Sequence, residues 1–152
     1  MKTSEKGIEL IKSFEGLRLK AYKCSAGVDT IGYGATFYPS GEPVQAGDSL
    51  KSEQDAILLL KSTLEKFEQY VVILLAGTKV NQNQFDALVS FTYNVGRAAL
   101  AKSTMIKIIR ANPNDLRISS EFMKWVNAGG KKLQGLERRR QLECKLYFNK
   151  ET

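Results

Sequence analysis

A chain of 152 residues, 43% hydrophobic and 26% charged, is long enough to bury one real core and ordinary for a globular protein. Its 23 Lys and Arg against 16 Asp and Glu leave a net +7, which favours an acidic partner: nucleic acid, an anionic membrane or the anionic bacterial wall. Histidine is absent, which excludes histidine-based triads, the HExxH metalloprotease arrangement and ordinary zinc amidase sites, and two cysteines without a histidine argue against a papain-like hydrolase.

The first predicted element is an amphipathic helix. Ile8, Ile11 and Phe14, with Leu10 beside them, recur at helical spacing; Thr3 or Ser4 can cap the start, and Gly16 is a natural stop. Glu15 therefore sits in the last turn, at the negative end of the helix dipole and between the apolar Phe14 and Leu17. Both surroundings disfavour the carboxylate anion and favour the proton that a general acid must hold. The bland alternative is an exposed Glu that finishes the helix.

Leu17, Leu19 and Ala21 alternate with Arg18, Lys20 and Tyr22, the period of a half-exposed strand. Ser25-Ala26-Gly27 supplies a turn, and Thr30-Ile31-Gly32-Tyr33-Gly34 reads as a returning strand. Glycines at 32 and 34 weaken a strand, which fits either a ligand chain passing close to the backbone or a tight bend. Cys24 and Thr30 thus follow Glu15 on one hairpin. An ordinary thiol titrates at about 8.5, and a nearby carboxylate raises that value, so Cys24 is expected to be mostly neutral. Asp29, in the turn, is the nearby carboxylate that could compensate.

Residues 36–50 are rich in Gly, Pro, Ser and Asp and read as loop with room for a third short strand. Ser52-Glu-Gln-Asp55 opens a long helix running to about Gly77. Further helices are expected from Asn81 to Gly96, around Met105 to Ile109 before Pro113, from Leu116 to Val126, and from Gln134 to Phe148. The fold class is α+β, mostly helical, with one small N-terminal antiparallel sheet. No apolar run approaches the roughly 18 residues of a membrane span, and no signal peptide is visible after Met1. Cys24 and Cys144 are too few and too far apart for a disulfide framework; free thiols fit a reducing cytoplasm, with a single bridge left open.

The stretch from Glu15 to Gly34, with Glu15, Cys24 and Thr30 in that order, resembles the catalytic signature of phage-type lysozymes. These are the muramidases of glycoside hydrolase family 24 that phages use as endolysins. Phe91-Thr-Tyr-Asn94-Val-Gly96, Trp125-Val-Asn-Ala-Gly-Gly-Lys131 and Gly135-Leu-Glu-Arg-Arg-Arg140 resemble the family's later blocks, in order, so the match covers nearly the whole chain. Cys24 stands where the family commonly has Asp, although members with Cys there are known.

The resemblance implies one lysozyme-like domain over 1–152, with a small β-containing lobe at about 13–60. A long inter-lobe helix would lead to a helical lobe at about 78–152 that includes the N-terminal helix. It implies hydrolysis of the β-1,4 bond between N-acetylmuramic acid and N-acetylglucosamine, with Glu15 as proton donor and Cys24 and Thr30 in the water-positioning or nucleophile places. Tyr93, Asn94 and Thr104 would line the sugar-binding cleft and Thr36 its opposite wall. One of Arg138, Arg139 and Arg140 is placed to pair with Glu15, and a solvated face suits at least two of them. Whether the anomeric configuration inverts or is retained stays open. The implied partner is bacterial peptidoglycan, acted on by a monomer with no cofactor, metal, nucleic acid or membrane insertion. The enzyme would pass from the host cytoplasm to the wall through a separate holin-type pore. A wall-binding lysozyme fold impaired at Cys24, a lytic transglycosylase and a basic DNA-binding domain are the competing readings.

Overall fold

In the computed structural model, which describes residues 1–150, Ser4 caps the first helix, α1 (Glu5–Glu15): its Oγ accepts from the Gly7 N–H at 3.4 Å. Thr3 has another task, its N–H and hydroxyl both donating to the buried Glu68 carboxylate at 2.6 Å. Ile8 and Ile11 are buried, and the helix ends at Gly16 in the left-handed region, φ +67°, as expected.

Strands β1 (Arg18–Lys23) and β2 (Asp29–Gly32) pair antiparallel, with Tyr22 opposite Thr30 and Lys23 opposite Asp29. Ala21 packs inward, but Leu17 and Leu19 remain 37% and 36% exposed, so the alternation in the sequence marks only half of a buried face. After β2, Ile31 and Ala35 exchange two backbone bonds of 2.9 Å around Gly32 (φ +67°) and Gly34 (φ +96°). That tight bend accounts for both glycines. In place of a third strand there are isolated bridges, Phe37 with Pro43 and Ser49 with Lys20, the second reinforced by bonds from Leu50 N–H to Leu19 and from Ala21 N–H to Asp48. Ile31, Ala35, Val44 and Leu59, flanked by Ala21, Tyr38 and Leu50, form the local core.

The long helix α2 (Glu53–Leu75) opens on Ser52, whose Oγ accepts from the Asp55 N–H, and closes at Ala76 and Gly77, both with positive φ. Next comes α3 (Gln82–Val95), with a reciprocal cap between Asn81 and Gln84 and a stop at Gly96. A short helix that periodicity did not predict, α4 (Arg97–Lys102), fills the gap before α5 (Thr104–Ala111). Six residues are too few for a 3.6-residue pattern to register, and Ser103, which caps α5 through Ile106 N–H, separates the two.

The expected helix to Val126 is also shorter: α6 (Arg117–Phe122) gives way to a second hairpin, β3 (Asn127–Ala128) and β4 (Lys131–Lys132). Gly129 and Gly130 both take positive φ, the two-residue turn that favours antiparallel strands over helix. Helix α7 (Gln134–Tyr147) ends the described fold. Phe91 of α3 meets Phe122 and Trp125 edge-on at 5.6 and 5.7 Å, and Phe122 meets Tyr147 of α7 at 5.7 Å. Two compact units result, residues 8–66 and residues 1–7 with 67–152, the division falling within α1 and α2.

Candidate active site

Cys24 lies at the tip of the β1–β2 hairpin, where its N–H donates to Val28 O at 3.0 Å and its carbonyl accepts from Gly27 N–H at 2.8 Å. This closes the turn around the sulfur. Backbone N–H groups of Val28 and then Ala26, with the Thr30 hydroxyl, hold the Cys24 thiol below the ordinary cysteine value and outweigh its partial burial. The expectation that the thiol's value is raised is corrected here. It counted a neighbouring carboxylate and could not see the turn's amides.

Thr30 is buried at 4%, and its hydroxyl gives its one proton to Val28 O at 2.9 Å, so the turn amides are the main support of the thiol. Asp29, the nearby carboxylate of the turn, pairs with Lys23 at 3.2 Å. Both cysteines are free, and Cys144 belongs to the other compact unit.

Glu15, half-buried, closes α1 within the same unit as Cys24 and Thr30. One turn earlier Lys12 reaches Glu53 at 3.4 Å, and the Tyr33 hydroxyl donates to that carboxylate at 2.9 Å. Tyr33 and Lys12 hold the Glu53 carboxyl below the usual range. The bracing ties the end of α1 to the bend after β2 and to the start of α2. Thr36, half-buried, accepts from Val44 N–H at 2.9 Å in the same unit.

The remaining candidates lie in the helical unit. Tyr93, half-buried in the last turn of α3, stands edge-on to Phe67 at 5.2 Å. Asn94 beside it is exposed, and its side-chain oxygen accepts from Arg140 Nη2. Thr104 is exposed at the first position of α5.

The arginine run departs most from expectation. Arg138 is exposed, but Arg139 and Arg140 are 5% and 0% exposed, so a solvated face for at least two of the three is ruled out. Both meet Glu143, itself 0% exposed, with Nε atoms 3.2 and 3.0 Å from its oxygens. Ser90 of α3 donates to Glu143 at 2.6 Å, and the Arg140 guanidinium lies 4.9 Å from the Phe91 ring. Burial pushes the Glu143 carboxyl up and the Arg140 guanidinium down. The signal was present: Arg139, Arg140 and Glu143 share helical spacing with Leu136, Leu146 and Tyr147, on the inward face of α7. Charge alone made them look like surface.

Residues 12–143 match the family described as phage lysozyme. The chain belongs to the phage lysozyme family. It is 44% identical to an endolysin of Bacillus phage B103, a match covering all of this chain and 56% of that protein, so the chain spans little more than half of that relative. It is 42% identical to an endolysin of Acyrthosiphon pisum secondary endosymbiont phage 1, over 97% of this chain and 98% of the relative. The solved endolysin of Escherichia coli O157:H7 phage FAHEc1 is similar with a TM-score of 0.86 at 39% identity, over 98% of this chain and 94% of that one. The expected family, the lysozyme fold and the endolysin-type hydrolase class are thereby borne out for this phage lysozyme.

Proposed function

We propose that this chain cuts the β-1,4 bond between N-acetylmuramic acid and N-acetylglucosamine in bacterial peptidoglycan, with Glu15 as the proton donor and Cys24 and Thr30 serving the anomeric carbon. The observation that carries the reading is the placement of Glu15 at the end of α1 in the same compact unit as the β1–β2 hairpin that bears Cys24 and Thr30, within the segment that matches the phage lysozyme family. Glycoside cleavage needs an acid for the leaving oxygen and a second group that attacks or places water. A thiol held below its ordinary value gives a larger thiolate fraction near neutral pH, so Cys24 supplies part of the negative charge that an aspartate supplies permanently. Thiolate attack would retain the anomeric configuration, and water placed by Cys24 and Thr30 would invert it.

In this reading Thr36, Tyr93, Asn94 and Thr104 offer hydroxyl and amide groups to the sugars. The lobes in this reading are residues at about 13–60, and about 78–152 with the N-terminal helix. The chemistry is acid–base and nucleophilic throughout and needs no cofactor. The protein acts as a monomer. Among the described residues no helix is long and apolar enough to cross a membrane, and access to the wall is assigned to a separate holin-type pore.

Mass spectrometry of purified peptidoglycan after digestion tests the reading. Muropeptides with reducing N-acetylmuramic acid ends are expected. Anhydro-sugar ends would make the enzyme a lytic transglycosylase, and undigested wall would make it a binding protein. The anomer present immediately after cleavage, read by nuclear magnetic resonance, assigns Cys24 as nucleophile or water holder.

A further inference from the structure

The net charge is not spread over the chain. The unit of residues 1–7 and 67–152 holds 16 of the 23 Lys and Arg but 8 of the 16 Asp and Glu, so it carries +8 while residues 8–66 carry −1. Burial sharpens the contrast. Of the acidic residues described in that unit, Glu68, Asp86, Glu121 and Glu143 are buried, Asp115 and Glu137 are half-buried, and Glu5 alone is exposed. Of its basic residues, all but Arg139 and Arg140 are exposed. Ion pairs with Asp115, Glu121 and Glu137 engage only Arg117, Lys124 and Lys132 of these. The acidic half of the composition is turned inward and the basic half outward.

The charge has a structured centre. Arg138, Gln141 and Lys145 are exposed along one stripe of α7. Gln141 and Lys145 line an open groove of about 390 Å³ with Cys144 on their side and Ser119, Ser120 and Met123 opposite. One cation, Lys145, with an amide and two serines thus borders a channel whose lining is otherwise apolar, and Arg138 stands beside it on the same stripe.

We propose that this cationic face, centred on the groove between α6 and α7, binds a phosphodiester-bearing polymer attached to the bacterial wall. Regularly spaced phosphates lying along exposed Lys and Arg release their counterions, a gain that falls steeply with salt. The face would hold the enzyme on the wall while Glu15, Cys24 and Thr30, in the nearly neutral unit, act on the glycan. The polyanion follows from the charges, and its attachment to the wall rests on the muramidase reading. Nucleic acid fits less well, because every aromatic ring described in this unit is buried or half-buried and no base-stacking platform is offered. The Arg138–Gln141–Lys145 stripe has no apolar side chain to insert into a bilayer, while Leu116 at the start of α6 is 79% exposed, so vesicles are an arm of the test.

The test is co-sedimentation of the full-length Glu15→Gln protein with walls before and after hydrofluoric acid strips their phosphodiester polymers. Intact walls should retain about tenfold more protein than stripped ones at low salt, and long-chain inorganic polyphosphate should compete. Adding Arg138→Glu and Lys145→Glu should cost about tenfold on intact walls and flatten the log–log salt dependence by about 1.5, without changing retention by stripped walls. The neutral pair Arg138→Gln and Lys145→Gln should fall between, and thermal melting checks that both variants fold. Equal retention by intact and stripped walls overturns the proposal, as does an undiminished charge-reversal variant. So does stronger competition by DNA or by phosphatidylcholine–phosphatidylglycerol vesicles than by polyphosphate. If the native enzyme fails to digest stripped walls, the muramidase reading falls while the sedimentation result stands, so the two failures are distinct.

Discussion

The amides of Val28 and Ala26 and the Thr30 hydroxyl hold the Cys24 thiol down, while burial pushes the Cys144 thiol up. A lowered value means that the proton leaves at a lower pH. Alkylation of Cys24 by iodoacetamide should therefore reach its plateau at lower pH than alkylation of Cys144, and Cys24 should label first near neutrality. Peptide mass spectrometry reads both rates, and coincident profiles would refute the assignment. Activity should disappear in step with Cys24 labelling. Cys24→Asp is expected to keep substantial activity and Cys24→Ala to lose most of it; an undiminished Cys24→Ala enzyme would leave the thiol as mere packing. Glu15→Gln keeps the side chain's volume but has no proton to give. Its activity should fall by about 10²-fold or more with an unchanged thermal midpoint, and near-normal wall clearing would remove Glu15 from the mechanism.

At the scale of elements, the segment from Thr36 to Leu50 is held by short backbone bonds, such as Val44 N–H to Thr36 O at 2.9 Å, and by side chains gathered on Asp48. The Tyr38 hydroxyl donates to Asp48 at 2.7 Å, and the Gln45 N–H donates to the same carboxylate at 2.9 Å. Asp48 is held below the usual carboxylate range by Tyr38 first and Gln45 second, while burial and Asp48 push the Tyr38 phenol up to about 12. A depressed carboxyl stabilises the fold above its unfolded value of about 3.9 and loses that contribution as pH falls through the folded value. Hydrogen-exchange protection of the Gln45 amide should drop over that acid window in the native protein. In Asp48→Asn the acid-dependent drop should be absent. Protection that is flat in the native protein would show that the carboxylate does not hold the segment. The sequence revealed this stretch as loop with room for a short strand but not its Tyr38–Asp48 contact, because that contact joins residues ten apart with no periodic pattern.

At the scale of the whole molecule, the helical unit is built on α3 against α7, and its least expected component is ionic. Glu143 sits between Arg139 and Arg140 with Ser90 donating from α3, all four buried. Replacing Glu143 by Gln leaves two buried guanidinium groups without an anion, which should cost about 3–5 kcal/mol. Urea unfolding measures the loss, and a change below about 1 kcal/mol would mean that water already screens the arginines. Such a variant should also loosen Asn94, because Arg140 bonds its side chain.

The chain alone determined what local chemistry dictates. Helix α1 with its stop at Gly16, the hairpin that carries Cys24 and Thr30, the long helix from Ser52 and the capped α3 were all legible, because caps, glycines and periodicity act over a few residues. The ordered family blocks were legible by resemblance alone, as motifs standing in the same order along the chain. Tertiary structure decided the rest. It turned Gly32 and Gly34 into a bend, cut α6 short for a second hairpin, lowered the Cys24 thiol and buried Arg139 and Arg140. It also drew the acidic residues of the helical unit inward and left that unit's surface basic. Desolvation and hydrogen bonding depend on neighbours that meet only once the chain has folded, so a residue's charge or a thiol's acidity cannot be assigned from its flanking residues.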